Sequence, residues 1–145
     1  MIAIVVALVA GSVLSYYWPT LNTPANPPPT QATACVRPVG YILIIADLRG
    51  FNDSVDHLQK YPNEPWPVIS VHRGDQVNIY VCDLDDYSPH GFAIQHYFDA
   101  GTALMPHQTF SISFIADQDG NFTIYCTIFC PVHPYMISGQ LQVTG

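Results

Sequence analysis

The sequence predicts an all-β protein, a Greek-key β-sandwich preceded by one N-terminal transmembrane helix. From residue 39 onward, short β-branched or alternating runs are separated by turn residues. No long stretch with the helical period interrupts them. The N-terminal segment, in contrast, is apolar and uncharged. Short strands at this spacing, without long helices, are typical of a Greek-key sandwich of two packed sheets.

The N-terminal segment, residues 1–18, contains no charged side chain. About 17 residues at roughly 1.5 Å each make a helix of roughly 26 Å, which is enough for a bilayer core. Tyr16, Tyr17 and Trp18 are placed as an aromatic anchor at the membrane interface. The alternative is a secretory signal peptide, but the segment has neither a basic n-region nor a clear small-x-small cleavage site. We therefore expect a single-pass anchor in contact with membrane lipid.

Residues 19–33 are predicted to be a linker between this anchor and a folded domain of residues 34–145. The linker contains five prolines, which favour an extended polyproline II conformation over packed structure. A linker of this kind holds the domain above the membrane or lies along a partner subunit.

The folded domain is predicted to contain seven strands. They are residues 41–45, 68–71, 76–81, 92–95, 109–115, 121–125 and 140–143. Arg73–Asp75 is predicted to be a turn, and Asp119–Asn121 a turn of the hairpin type. Residues 50–63 fit the pattern poorly, so we interpret them as an insertion with room for one helical turn.

The charge of the chain limits its partners. Of the 145 residues 10% are charged, far below the usual quarter, and the net charge is −7. No basic patch is available for a phosphate backbone, so a nucleic-acid partner is not expected. The low charge indicates that the chain lies partly in lipid, that other subunits cover it, or that it works in an acidic medium where carboxylates are neutral.

One loop near the C-terminus concentrates metal-binding side chains. Cys126, Cys130, His133 and Met136 follow the alternating run that predicts the strand 121–125. Soft sulfur ligands combined with imidazole select copper, and a weak thioether ligand suits electron transfer. A further imidazole, His90, opens a short apolar strand upstream. The pattern therefore predicts a copper site between these two segments.

The segment His90-Gly91-Phe92 and the loop 126–136 together resemble the CuA domain of cytochrome c oxidase subunit II, a cupredoxin. The resemblance covers residues 66–145. It implies that two copper ions are bridged by the thiolates of Cys126 and Cys130. His90 and Met136 would complete one copper, and His133 with the backbone carbonyl of Ile128 the other. In the family, two copper ions bridged in this way share one unpaired electron. Because the atoms of the site then move little on reduction, electron transfer is fast.

The loop departs from the family in one spacing. The family pattern is Cys-x3-Cys-x3-His-x2-Met, whereas this chain has Cys-x2-His-x2-Met after Cys130. The shorter spacing resembles the ligand loop of amicyanin-type blue copper proteins. A mononuclear site of His90, Cys130, His133 and Met136 is therefore the alternative. It leaves Cys126 as a spare thiol at risk of oxidation, so we favour the dinuclear site.

Two features around the loop need an assignment. Asp85 and Asp86 lie near His90 and are candidates to hold its second ring nitrogen, although a solvated acidic loop is the commoner explanation. The aromatic side chains of the loop exclude water or form an apolar docking surface; they are Tyr125, Phe129 and Tyr135.

Two further cysteines, Cys35 and Cys82, lie outside the loop. We predict a disulfide between them, closing a loop of about 48 residues and contributing roughly 4 kcal/mol in the chain-entropy model. The alternative is a pair of buried apolar thiols.

The resemblance implies the electron-entry subunit of a respiratory heme-copper terminal oxidase. It would accept electrons from an external cytochrome c or blue copper protein and pass them to heme in subunit I, beside other membrane subunits. The copper domain would face the extracytoplasmic side of the cell membrane. No residue pattern in the chain indicates a catalyst of bond-making chemistry, so no catalytic residue is assigned.

Two other functions share some of these features. A membrane-tethered blue copper carrier is the main alternative, because the short loop and single anchor both permit it. Nitrous-oxide reductase also carries a CuA domain, but these 145 residues hold no counterpart of its large catalytic domain, so we expect an oxidase subunit.

Overall fold

A computed structural model describes residues 30–31, 35–53 and 64–145. Within these ranges the chain forms ten β-strands and one short 3-10 helix, His133–Tyr135, which confirms the all-β prediction. The strands are β1 (Thr30–Gln31), β2 (Ile42–Asp47), β3 (Gly50–Asn52), β4 (Val68–His72), β5 (Gln76–Asp83), β6 (His90–Ile94), β7 (Phe98–Leu104), β8 (Gln108–Ile115), β9 (Gly120–Tyr125) and β10 (Gly139–Thr144).

The strands form two five-stranded sheets. One has the order β1-β8-β5-β2-β3 and the other the order β4-β10-β9-β6-β7. Each sheet contains one parallel pair, β2 with β5 and β4 with β10, and the remaining pairs are antiparallel. The strands β5 and β8 are neighbours in one sheet, whereas β6 and β7, which come between them in the sequence, lie in the other sheet. The chain therefore crosses from one sheet to the other and back.

The core lies between the two sheets and follows the period-two pattern of the strands. In β5, Val77, Ile79 and Val81 are buried, while Asn78 and Tyr80 between them are half-buried. The same alternation on the facing sheet buries Phe122 and Ile124 of β9. At about 25 cal/mol per Å² of apolar surface removed from water, this core is the main stabilising contribution to the fold.

One end of the sandwich gathers the loops that matter for the site. β2 and β5 run parallel and finish together, since Ala46 pairs with Asp83. β6 starts at that end, where His90 pairs with Leu104, the last residue of β7. β9 finishes beside β6, because Ala93 pairs with Tyr125. The loops 48–49, 84–89, 105–107 and 126–138 therefore meet there, and we call this the loop end.

All seven predicted strands are present, with ends shifted by a few residues, and three further strands were not predicted. β7 was missed because Phe98–Leu104 contains aspartate, alanine and glycine, which are poor strand formers. It is an edge strand, and its pairing with β6 is irregular between Phe92 and Ile94. β3 occupies the start of the predicted insertion, and residues 54–63 lie outside the described residues.

The N-terminal predictions lie mostly outside the described residues. This holds for the transmembrane helix of residues 1–18 and for nearly all of the linker. Thr30 and Gln31 of the linker form β1 and pair with the start of β8. In the described ranges no helix has the length and apolar character needed to cross a membrane.

The predicted disulfide is confirmed. Cys35 and Cys82 are bonded, with their Cα atoms 5.8 Å apart and a sequence separation of 47. Cys82 lies fully buried on β5, so the bridge ties the start of the domain to the strand that leads toward His90.

Candidate metal centre

A buried cluster of two thiols and one imidazole lies at the loop end. One ligand atom from each of His90, Cys126 and Cys130 lies within 4.8 Å of those of the other two. Cys126 directly follows β9 and His90 opens the neighbouring strand β6, so strand pairing brings them together. Both cysteines are free of disulfides. The structure thus joins the two segments that the sequence predicted to share a metal.

The remaining candidate donors lie against this cluster. The Sδ atom of Met136 is 3.7 Å from the Sγ atom of Cys130. The carbonyl oxygen of Ile128 lies 3.0 Å from the Sγ atom of Cys126 and 3.1 Å from Nδ1 of His133. Met136 is fully buried, whereas His133 and Ile128 are half-buried. All six residues predicted from the sequence therefore belong to one continuous set of contacts.

Backbone hydrogen bonds hold the loop in this shape. The Cys126 N–H donates to the Met136 carbonyl at 2.7 Å, which closes the base of the loop. The His133 N–H donates to the Cys130 carbonyl at 3.1 Å and leads into the 3-10 helix. This tight helix turns the chain within three residues. It explains how His133 reaches Ile128 despite the shortened spacing after Cys130.

Gly91 allows the loop to approach β6 closely. A Cβ atom on Gly91 would lie 2.5 Å from the backbone nitrogen of Thr127 and would also collide with the Thr127 hydroxyl. The Gly91 N–H instead donates to the Sγ atom of Cys126 at 3.1 Å. The small residue after His90 is thus required by the contact between strand and loop.

His90 is held from one side by Asp85. Its Nε2 lies 3.1 Å from the Asp85 carboxylate, and both side chains are almost completely buried. Its Nδ1 is also buried and has no hydrogen-bond partner among the described residues. Burial lowers the pKa of His90, although the Asp85 carboxylate opposes this, so the imidazole is neutral at pH 7. An unpartnered buried Nδ1 fits a nitrogen that binds a metal ion.

The Cys130 thiol is protonated at neutral pH when no metal is bound. Burial, and next the neighbouring Cys126 thiol, raise the pKa of Cys130 to about 11. A metal must therefore displace this proton to bind a thiolate. Two cysteines, two histidines and a methionine form a soft donor set that fits copper better than magnesium or calcium.

Further carboxylates surround His90. Asp83 at the end of β5 is fully buried, and burial raises its pKa to about 7. One oxygen of Asp83 accepts the Asp85 N–H at 2.8 Å, and the other has no partner among the described residues. Asp47 on β2 is paired with the Arg49 guanidinium. Three carboxyl groups, those of Asp47, Asp83 and Asp85, therefore lie near His90.

The surface over the cluster is apolar. The Phe129 side chain is 91% exposed and its ring centroid lies 5.5 Å from that of His133. Tyr125 and Tyr135 are half-buried beside the loop. Of the three predicted aromatic neighbours, Phe129 is thus the one that faces outward rather than excluding water.

The roles of Asp85 and Asp86 were not separable in the sequence. Asp85 is 1% exposed and contacts His90, whereas Asp86 is 67% exposed and lies 3.2 Å from the His107 ring. Adjacent acidic residues in one loop carry no periodic signal that shows which one points inward. The solvated-loop interpretation is correct for Asp86 and wrong for Asp85.

The comparisons with known proteins reveal sequence relatives that are much longer than this chain. The nitrous-oxide reductase of Ralstonia nicotianae is 43% identical over 64 residues, covering 43% of this chain and 10% of that protein. The nitrous-oxide reductase of Stutzerimonas stutzeri is 30% identical over 77 residues, covering 52% of this chain and 12% of that protein. The chain thus spans about a tenth of the length of these relatives. No protein-family model matches it.

Solved structures show the same fold at low sequence identity. A chain of a heme-copper terminal oxidase dimer aligns with a TM-score of 0.53 and 20% identity, covering 79% of this chain and 78% of that one. A copper-containing nitrite reductase from Thermus scotoductus aligns with a TM-score of 0.54 and 15% identity, covering 72% of this chain and 30% of that one.

An auracyanin from Roseiflexus castenholzii aligns with a TM-score of 0.51 and 15% identity, covering 72% of this chain and 98% of that one. At these identities the alignments carry the fold and nothing further. The fold is that of the cupredoxins.

Proposed function

We propose that this chain is an electron-transfer domain with a dinuclear CuA copper centre, and that it is the electron-entry subunit of a heme-copper terminal oxidase. The observation that carries the proposal is the convergence of all six candidate donors in one continuous set of contacts around the buried cluster of His90, Cys126 and Cys130. The cupredoxin fold and the unpartnered Nδ1 of His90 support it.

The same contacts suggest how the ligands divide. Cys126 and Cys130 would bridge two copper ions as thiolates. His90 and Met136 would complete one copper, since the Met136 sulfur lies against Cys130. His133 and the Ile128 carbonyl would complete the other, since these two atoms lie side by side. When bound, the copper pair supplies one-electron redox chemistry with little change in atomic positions.

Cys126 favours the dinuclear site over the mononuclear blue copper alternative. In a mononuclear site of His90, Cys130, His133 and Met136, Cys126 would have no ligand role. Cys126 is nevertheless only 2% exposed, and its sulfur accepts the Gly91 N–H and lies within the same cluster as His90 and Cys130. A cysteine in this position is better explained as a ligand.

The proposed role is to receive electrons from an external cytochrome c or blue copper protein. The exposed ring of Phe129, beside His133, offers an apolar surface for such a donor. Electrons then pass to heme in a catalytic subunit, and the chain itself makes no bonds. A chain of a heme-copper terminal oxidase dimer has the same fold, as this assignment requires.

A second candidate is the electron-entry domain of a nitrous-oxide reductase. The sequence relatives favour it, since those from Ralstonia nicotianae, Cupriavidus necator and Stutzerimonas stutzeri are nitrous-oxide reductases. The two candidates share the copper site and differ in the catalytic partner. Copurification with a heme-bearing membrane subunit supports the oxidase, and copurification with a nitrous-oxide-reducing subunit supports the reductase.

We also propose that residues 1–18 anchor the chain in the cell membrane, with the copper domain on the extracytoplasmic side. The uncharged apolar sequence of this segment supports the anchor, and the Cys35–Cys82 disulfide supports an oxidising compartment. Fractionation of the full chain, with protease added to one side of the membrane, tests both statements.

The deciding experiment is the copper content per chain together with the electron paramagnetic resonance spectrum of the oxidised full chain. Two coppers with one electron shared over both nuclei are expected. One copper with the hyperfine pattern of a single nucleus would contradict the dinuclear site and favour the tethered blue copper carrier. Cys126→Ser is the matched variant, because it abolishes a dinuclear site and leaves the four mononuclear ligands intact.

A further inference from the structure

The second ring nitrogen of His90 is engaged by a buried carboxylate. The Oδ2 atom of Asp85 lies 3.1 Å from His90 Nε2, and the two side chains are 1% and 0% exposed. Because a buried carboxylate accepts hydrogen bonds, Nε2 is the protonated nitrogen of the neutral ring. Nδ1 then carries the free lone pair, and it is the atom left without a partner.

Asp85 itself is fixed from its other side. Its Oδ1 accepts the backbone N–H groups of Tyr87 at 2.8 Å and Ser88 at 3.1 Å. Its own N–H donates to Asp83 at 2.8 Å. Both carboxylate oxygens therefore act as acceptors at the same time. The loop 84–89 is organised so that one oxygen faces two backbone donors and the other faces His90.

We propose that Asp85 is a positioning residue for the copper centre: its carboxylate holds the Nε2–H tautomer of His90, which leaves Nδ1 as the nitrogen that binds copper. The negative charge of Asp85 also makes the imidazole a stronger donor and favours the oxidised state of the centre. This inference rests on the proposed copper site.

The arrangement predicts an unusual effect of the isosteric variant Asp85→Asn. An amide has one acceptor oxygen and one donor nitrogen, and the two backbone N–H groups require the oxygen. The amide nitrogen then faces Nε2 and donates to it. The ring proton must move to Nδ1, so the variant blocks the nitrogen that copper needs without changing the size of the side chain.

Asp86 provides the matched control. It is adjacent in the sequence and carries the same charge, but it is exposed and lies against His107 rather than His90. Asp86→Asn removes one negative charge from the same loop and leaves the contact between Asp85 and His90 in place.

The test begins with the tautomer of His90 in the metal-free, reduced full chain, read from the ring ¹⁵N chemical shifts. We expect Nε2–H in the wild type and in Asp86→Asn, and Nδ1–H in Asp85→Asn. Copper titration should show about 10- to 100-fold weaker binding in Asp85→Asn. Copper bound by that variant should have a higher reduction potential than the wild type, and Asp86→Asn should stay close to the wild type in both.

An Nδ1–H tautomer in the wild-type chain overturns the proposal, and that measurement needs no variant to fold. Equal copper affinity and potential in Asp85→Asn and the wild type also overturn it, as does an equally large effect of Asp86→Asn. Because the tautomer is read without metal, its outcome is independent of the proposed function. One copper per chain with an Nε2–H tautomer would refute the dinuclear site and leave the assignment of Asp85 standing.

Discussion

The carboxylate of Asp83 is fully buried, and its Oδ2 atom has no hydrogen-bond partner in the part of the chain that the structure describes. Burial raises its pKa from 3.8 to about 7. The unfolded chain loses this proton near pH 4, whereas the folded chain keeps it until near pH 7. The folded state therefore binds more protons in this window, and the contribution of Asp83 to stability falls as the pH rises through it.

The variant Asp83→Asn removes this ionisation while keeping an acceptor for the Asp85 N–H. We expect the metal-free variant to gain stability relative to the wild type between pH 4 and pH 8, by at most about 4 kcal/mol. Guanidinium unfolding of both proteins at the two pH values measures the difference. A stability difference that does not depend on pH would contradict the raised pKa.

Gly91 is a second residue whose identity is set by its surroundings. Gly91→Ala places a methyl group against the backbone of Thr127, so the loop must move away from β6. We expect the variant to lose most of its copper and to lose about 1–3 kcal/mol of folding stability through overpacking. Metal analysis and chemical unfolding measure both.

Gly145→Ala is the control for this prediction. Its added methyl group would meet only the carboxylate of Asp119, an exposed side chain that can turn aside. If Gly91→Ala binds copper as well as this control does, the close contact between loop and strand is not required for the site.

Among the structural elements, the disulfide connects a segment with little secondary structure to the central strand β5. The bridge between Cys35 and Cys82 closes a long loop and restricts the unfolded chain. Replacing both cysteines with alanine should cost about 4 kcal/mol of folding stability in the chain-entropy model. Copper content should remain unchanged, because neither cysteine lies in the loop 126–138. Unfolding curves and metal analysis of the double variant test this, and loss of copper would contradict it.

The elements also explain how far the sequence predicted the fold. Strands with alternating β-branched residues, such as β5 and β8, were predicted because each buries one face against the core. β7 was not predictable, because its residues have low strand propensity and it is held by pairing with β6. The short strands β1 and β3 likewise depend on their partners: β1 pairs with β8, which is distant in the sequence, and β3 pairs with β2 across a tight turn.

On the scale of the whole molecule, large apolar side chains are exposed at the loop end. Tyr87, Met105 and Phe129 are each more than half exposed there, on three different loops. The chain has a net charge of −7 and few basic residues. An apolar patch on an acidic protein fits a donor that docks through apolar contacts with some electrostatic steering.

Phe129→Ala tests this surface. Because the ring is 91% exposed, its removal should change folding stability by less than about 0.5 kcal/mol. We expect reduction of the copper-loaded chain by its donor to slow by about tenfold, the effect of losing a docking anchor worth about 1.4 kcal/mol. Stopped-flow reduction by a cytochrome c or a blue copper protein measures the rate. Val39→Ala, an exposed apolar residue before β2, is the control, and equal rates for both variants would contradict the docking role.

The sequence by itself determined the type of chemistry. Two thiols, two imidazoles and a thioether in two short segments predict copper, because the preference of a donor for a metal belongs to the side chain and not to the fold. The same holds for the strands of the core, since the alternation of apolar residues is local. The candidate ligands His90, Cys126, Cys130, His133 and Met136 were named on this basis, and the carbonyl of Ile128 was named from the resemblance to the CuA domain.

Only the tertiary structure decided how these parts meet. The shortened spacing left the position of His133 open, and a 3-10 helix brings it to the Ile128 carbonyl. Neighbouring carboxylates in one loop looked alike, yet Asp85 is buried against His90 while Asp86 is in solvent. Contacts of this kind depend on distances through space and on burial, which arise only when residues far apart in the sequence pack together.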